Sequence, residues 1–337
     1  MRPDVTQGRR VVQEGGRAMP IAAVIFNPTK IGRDALAEVV DPALSAAGWG
    51  EAQWFETAVD SPGTEQARAA VAQGCDVVLA VGGDGTVRGA AQGLEGSGVP
   101  LGLVARGTGN LLAHELGLSI NDLAAAVDTA LNGGTRAIDL GVVDWTREDE
   151  SKERHVFVVM AGMGLDAQIM ATTDPVLKEK VGILAYVKAG IVALFKDRRM
   201  ELKFQVDGGA SRVTRVHTVL VGNVGTIFRN VTVMPDSKID DGALDLVAVR
   251  PLGPLGWLSV GWRVLVDNRF FRRLKPPAVR ERDDSALELR YRQCRHIDVV
   301  LREPEEIELD GDHFGKVRAV SIGVAAGALL VKVPAVG

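Results

Sequence analysis

Three glycines, an acid and a hydroxyl stand together at Gly82, Gly83, Asp84, Gly85 and Thr86, directly after the apolar run Val77–Val81. Glycines let a backbone turn tightly and bring its amides close to a polyphosphate, and a helix starting behind them adds positive potential. Asp84 sits badly with phosphate alone. A carboxylate in such a loop handles a magnesium ion, takes a proton from a substrate, or only caps the next helix. One strand further on, Gly107, Thr108, Gly109 and Asn110 follow Leu101–Ala105, and near the start Asn27, Pro28, Thr29 and Lys30 follow Ile21–Phe26. Loops behind adjacent parallel strands lie side by side at the carboxyl edge of a sheet, where open α/β sheets bind ligands. The chain has neither a Walker A pattern nor a G-x-G-x-x-G after its first strand. The first absence excludes a P-loop enzyme, and the second argues against a dinucleotide oxidoreductase.

Two acidic groups lie later in the chain. Asp236, Asp240, Asp241 and Asp245 surround a glycine turn, a set that either offers oxygen ligands to a hard cation or forms a solvated hairpin. Asp310 and Asp312 flank Gly311 at the end of an apolar strand. They read either as a pair dividing metal binding and proton abstraction or as a solvated Asp-Gly turn.

The elements that must carry these loops change character along the chain. Up to about residue 139, short apolar strands (21–26, 53–57, 76–81, 101–105) alternate with helical spacing (33–47, 64–73, and behind each glycine loop), which predicts a parallel sheet covered on both faces. Beyond it, strands are expected at 155–161, 200–206, 215–221, 243–249, 295–301 and 305–309 in hairpin or sandwich order, with helical inserts at 177–196 and 255–271. The expected domains are a polar leader over 1–19 (disordered, or a start placed too early before Met19), an α/β domain over 20–145 and a β-rich domain over 146–322. Residues 323–337 are apolar enough to return to the first core.

At 337 residues, about two domains are expected. A hydrophobic fraction of 46% with 24% charged residues fits a packed globular chain. The net charge of −4 gives no global attraction to nucleic acid. Cys75 and Cys294 stand far apart with no ligand spacing, so neither a zinc site nor a disulfide framework is expected, and a reducing cytoplasmic compartment fits. The longest apolar run, Val181–Phe195, contains Lys188 and is shorter than the ~20 residues that span a bilayer.

The series Asn27-Pro28, Gly82–Thr86, Gly107–Asn110, Ile138–Gly141, Gly162–Ala167, Asp240–Gly242 and Asp310–Asp312 resembles the diacylglycerol kinase catalytic-domain family. The likeness is nearest to its soluble bacterial lipid kinases, with sphingosine and ceramide kinases as relatives, and covers about residues 20–334. It implies ATP-dependent phosphorylation of a lipid hydroxyl in a cleft between an α/β domain and a β-sandwich. By similarity ATP touches Asn27, Pro28, Thr29, Lys30, Ile31, Thr57, Gly82, Gly83, Asp84, Gly85, Thr86, Val87, Arg88, Gly107, Thr108 and Asn110. A structural Mg2+ falls to Asp241 with backbone oxygens near Lys238 and Ala243. Asp84 and Asp139 join the acidic network of the catalytic Mg2+, and the Asp310/Asp312 pair supplies the base. The chain departs from the family at Leu111, where many members have an acid, at Asp312, where they have Glu, and at Thr29-Lys30-Ile31-Gly32 in place of Ser-Gly.

The expected activity is thus an ATP- and Mg2+-dependent lipid kinase, with diacylglycerol the default acceptor and phosphatidic acid the product. Sphingoid bases and other lipid alcohols stay open, as do a soluble-metabolite kinase and a nucleotide-binding regulator without turnover. Residues 263–295 hold ten Arg or Lys against five Asp or Glu and interleave Phe270 and Phe271 with cations, behind Trp257 and Trp262. Such a stretch suits either peripheral contact with anionic headgroups at the inner membrane face or a solvated face with its rings in the core. No nucleic-acid partner is expected, and a homodimer is left open.

Overall fold

The computed structural model describes residues 19–58, 60–106, 109–120, 122–164, 199–228, 231–232, 234, 237–250 and 289–335. Several expectations fall outside the described residues: the leader, Gly107 and Thr108, Asp236, residues 165–167, both helical inserts, and the basic–aromatic stretch up to residue 288. Among the described residues no helix is long and apolar enough to cross a membrane. The chain divides into two compact units, one reaching Ile138 and rejoined from Gly327 onward, the other Asp139–Ala326.

The first unit is α/β. Its order is β1 (Ala22–Phe26), α1 (Arg33–Ala47), β2 (Gln53–Glu56), α2 (Thr64–Ala72), β3 (Val77–Gly82), α3 (Asp84–Leu94), β4 (Leu101–Ala105), α4 (Leu111–Glu115) and α5 (Leu123–Asn132). The strands run parallel in the spatial order β2-β1-β3-β4, and Val331 from the end of the chain pairs in parallel with Leu101. β1, β3 and β4 are buried at every position, as central parallel strands are when both faces are covered. Helix α1 packs Leu36, Val40 and Leu44 onto this sheet, and Gly48, left-handed at φ 73°, ends it. Pro42 lies inside α1.

The second unit is built of antiparallel strands. It contains β5 (Gly134–Thr146, from Asp139), β6 (Lys152–Phe157), β7 (Met160–Gly164), β8 (Met200–Val206), β9 (Arg212–Val216), β10 (Thr218–Gly222), β11 (Thr226–Phe228), β12 (Val231–Thr232), β13 (Leu244–Val249), β14 (Leu289–Cys294), β15 (His296–Leu309) and β16 (Asp312–Val333, to Ala326). One run of pairing is β14-β13-β10-β7-β15-β16. The first part of β15 pairs with β8, and its end, Ile307–Leu309, pairs with β7. A single strand thereby serves two ladders, the sandwich corner that lets Trp145, Phe157, Met163, Ile307 and Leu309 share one core.

Four of the expected strands differ in the structure. Residues 155–161 form two strands separated at Val158-Val159, and 215–221 break at His217. Conversely, 295–301 and 305–309 join into one strand, with a register shift between Val300 and Glu305 that absorbs Pro304.

Candidate functional site

In the first unit the ladder continues past the strand ends. The Thr57 amide donates to Phe26 O at 2.9 Å, that of Asn27 to Val81 O at 3.3 Å, and that of Arg106 to Gly82 O at 3.0 Å. The loops behind four adjacent strands are thus registered along one edge. Behind β1, the Asn27 Oδ1 accepts from the Thr29 amide at 3.0 Å and its hydroxyl at 2.7 Å, an Asx turn that presents Pro28, Thr29 and Lys30 to solvent while Ile31 goes into the core.

Asp84 opens α3 but does not cap it; Gly83 occupies that position without a side-chain bond. The Asp84 carboxylate instead reaches the neighbouring loop, Oδ2 accepting from the Asn110 amide at 3.0 Å and Oδ1 from the Leu111 amide at 3.1 Å. It therefore supplies acceptors for the first amides of the short helix α4 and ties the two glycine loops together. Gly109 leaves room for this, since a Cβ there would stand 2.5 Å from Asp84 Oδ2. Asn110 is buried and left-handed at φ 40°. Thr57, Thr86 and Arg88 are buried polar groups at the same edge, whereas the Val87 side chain points into the core. Gly82, Gly83 and Gly85 lie on the strand-to-helix turn.

In the second unit, Asp310 and Gly311 are the two central residues of a tight hairpin, with φ of 51° and 86°. This is the pattern of a type I′ turn, for which Asp-Gly is a favoured pair. Leu309 pairs with Asp312 across it. The two acids consequently differ. Asp310 Oδ2 accepts from the Val158 amide at 2.9 Å, and its Oδ1 from those of Val159 and Met160 at 2.8 and 2.9 Å. That carboxylate is what interrupts the strand at Val158-Val159. Asp312 is exposed at the first position of β16.

Asp139 is buried, and its Oδ2 accepts from the Gly242 amide at 2.7 Å while its own amide donates to Ile239 O at 2.8 Å. It fixes the loop bearing Asp240 and Asp241. The acidic group read from the sequence is divided: Asp240 and Asp241 are exposed, whereas Asp245 is buried and accepts from the Tyr291 phenol. Burial pushes the Asp245 carboxyl above its ordinary range, against the pull of that phenol.

Among the described residues no group of three or more His, Cys, Asp or Glu side chains could hold a metal. The Asp241 loop offers a different donor set. Its Oδ1 accepts from the Ala243 amide at 3.1 Å and its Oδ2 lies 3.5 Å from Gln293 Nε2, so the carboxylate is oriented yet keeps lone pairs toward solvent. The set that the family resemblance implies, this carboxylate with the carbonyl oxygens of Lys238 and Ala243, would be oxygen-only chemistry, which Mg2+ accepts while retaining several waters.

One residue that the motifs did not single out belongs to this arrangement. Asn223 is fully buried, and its Nδ2 donates to Asp139 O at 2.8 Å and to Val158 O at 3.1 Å. Its Oδ1 has no hydrogen-bond partner among the described residues. The sequence signal was a lone amide closing the apolar run Thr218–Gly222, which reads as a turn residue.

The diacylglycerol kinase catalytic domain matches over residues 21–143, and the YegS C-terminal NAD kinase beta sandwich-like domain over residues 158–260. A diacylglycerol kinase of Bacillus subtilis (strain 168) is 27% identical over 304 residues, which cover 88% of this chain and 91% of that protein. One from Mycobacterium tuberculosis (strain H37Rv) is 32% identical over 182 residues, 54% of this chain and 57% of the other. A crystal structure of a diacylglycerol kinase from Bacillus anthracis (strain Sterne) shares the fold, with a TM-score of 0.64 at 17% identity over 94% of this chain and 97% of that one. Residues 21–143 thus belong to the diacylglycerol kinase catalytic-domain family, and the sandwich domain follows them in the same chain, which supports a kinase.

Proposed function

We propose that the chain transfers the γ-phosphoryl group of ATP to a lipid hydroxyl, with diacylglycerol the first acceptor to test and phosphatidic acid the product. The observation that carries this reading is the Asp84 carboxylate holding the Asn110 and Leu111 amides within the family's catalytic domain. It fixes two glycine loops at the edge where a polyphosphate meets backbone amides and the start of α3. The acceptor comes from the relatives' name.

The chemistry asks little covalent work of the protein. A lipid hydroxyl oxygen attacks the γ-phosphorus, its proton passes to a carboxylate, and the bond to the β-phosphate oxygen breaks to release ADP. Asp312 takes the proton, because both Asp310 oxygens already accept from the Val158–Met160 amides while Asp312 is exposed. A positioned base contributes roughly 10²–10⁴-fold. Lys30, exposed behind the Asn27 turn, and Arg88 offset phosphate charge. A catalytic Mg2+ served by the acidic network of Asp84 and Asp139 would supply further charge neutralisation, and a structural Mg2+ would be held by Asp241 with the Lys238 and Ala243 carbonyls. The enzyme works peripherally at the inner membrane face, and residues 263–295 supply the cations that meet anionic headgroups.

The test is label transfer from γ-labelled ATP to a panel of diacylglycerol, monoacylglycerol, sphingosine and ceramide in mixed micelles, with NAD included as a soluble acceptor. Label in one lipid class supports the reading. Label in NAD alone, or none in any acceptor, overturns it.

A further inference from the structure

The second unit holds its two candidate working loops through one side chain. The hairpin that carries Asp312 is bound to residues 158–160 by the Asp310 carboxylate and by the Asp310 amide, which donates to Met160 O at 2.9 Å. The loop that carries Asp241 is bound to Asp139 by the Gly242 and Ile239 bonds. Between these two anchors stands Asn223. Its carboxamide spends both hydrogens on one carbonyl from each side, Asp139 O and Val158 O, and its amide donates to Val159 O at 2.9 Å. A continuous hydrogen-bonded chain therefore runs from the Asp312 hairpin through Val158 and Asn223 to the Asp241 loop.

We infer that Asn223 is a positioning residue that sets the distance between the base-bearing hairpin and the cation-binding loop. The inference rests on the assignment of Asp312 and Asp241 made above. Three features of the geometry support it. The position is fully buried, so water cannot replace a lost donor. The two acceptors are main-chain oxygens, so the amide fixes backbone rather than a neighbouring rotamer. An apolar residue of the same size would fill the space after β10 but withdraw the carboxamide's hydrogens from both carbonyls, freeing each loop to shift.

The test compares Asn223→Ala and Asn223→Ser with Leu202→Ala, which removes buried side chain from the same core on β8, away from both loops. Parent enzyme turnover is measured first; if the parent transfers no phosphate to lipid, the assignment fails and the inference with it. With an active parent, Asn223→Ala is expected to lower kcat on the order of 10²-fold, with KM for ATP within about twofold, because a small misplacement of reacting groups is that costly. The Mg2+ concentration for half-maximal rate should rise, and Asn223→Ser, which can still donate to one carbonyl, should recover part of the loss. Leu202→Ala should lower the melting temperature at least as much while leaving kcat near the parent value. Should Asn223→Ala not fold, Asn223→Ser is read against Leu202→Ala in the same way. A kcat loss shared by Leu202→Ala at matched stability would overturn the inference, as would an unchanged Mg2+ requirement in the folded Asn223 variants.

Discussion

Replacing Asp310 by Asn probes the link between the hairpin and the sandwich with the smallest available change in shape. The native carboxylate accepts from three amides, on Val158, Val159 and Met160, all of them buried. An Asn in the same rotamer keeps one oxygen for Val159 and Met160, without its charge, and turns an amino group toward the Val158 amide. The Val158 bond, charge-assisted and worth ~1.5–3 kcal/mol, is lost, and the other two weaken. A loss of ~3–4 kcal/mol is expected. Asn tolerates the left-handed φ of 51°, so the backbone adds little. Asp310→Ala leaves three buried amides without an acceptor and adds ~1–2 kcal/mol for a left-handed Ala, so it should lie below Asp310→Gly in stability. Urea unfolding followed by circular dichroism gives both comparisons. An Asn variant within ~0.5 kcal/mol of the parent, or an Ala variant more stable than Gly, would refute this account of the turn.

Asp84→Ala removes the acceptor for two amides, so KM for ATP in lipid phosphorylation should rise at least about tenfold, with Asp84→Asn intermediate; an unchanged KM would contradict the clamp. The hydrogen bond from Arg147 is the main cause holding the Glu153 carboxyl at about 2 rather than 4.5. A lowered value stabilises the fold above the ordinary carboxylate range and fades as pH falls from 4.5 toward 2, so Glu153→Gln should be less stable at pH 7 and equal to the parent near pH 2. Because the Glu153 side chain is 38% exposed, the neutral-pH gap should be only ~0.5–1 kcal/mol, and urea midpoints equally spaced at both pH values would contradict it. Burial pushes the Cys75 thiol up to about 11 and the Cys294 thiol to about 12. Neither should react with a disulfide reagent at pH 8 until the chain is unfolded, and rapid native labelling would show that they are accessible.

The first unit was legible in the sequence because its strands are unbroken apolar runs and its turns are glycines. Arg33–Ala47 and Leu101–Ala105 match their expected bounds, and the helix expected behind the first glycine loop is α3, Asp84–Leu94. The second unit was less so, for a physical reason. The segment Val156–Ala161 is apolar throughout, and nothing local marks its break, which is made by Asp310 some 150 residues away. Strands were expected separately at 295–301 and 305–309, yet β15 runs through both, passing Pro304 on a shifted register. The same distance problem governed the acids. Composition could place Asp310 beside Asp312, and Asp245 beside Asp241, but only tertiary contacts distinguish an anchored carboxylate from an exposed one. Asn223 escaped for want of any motif of its own; its three partners come from β5 and from the break between β6 and β7.

The most direct measurement is label transfer from γ-labelled ATP to diacylglycerol in mixed micelles with Mg2+, run on the parent chain and on Asp312→Asn side by side. The expected result is labelled phosphatidic acid from the parent and a rate roughly 10²–10⁴-fold lower from the variant, with melting temperature unchanged at its exposed position. Absence of labelled lipid from a folded, ATP-binding parent would contradict the lipid-kinase reading, and equal rates from the two proteins would remove Asp312 from the role of base.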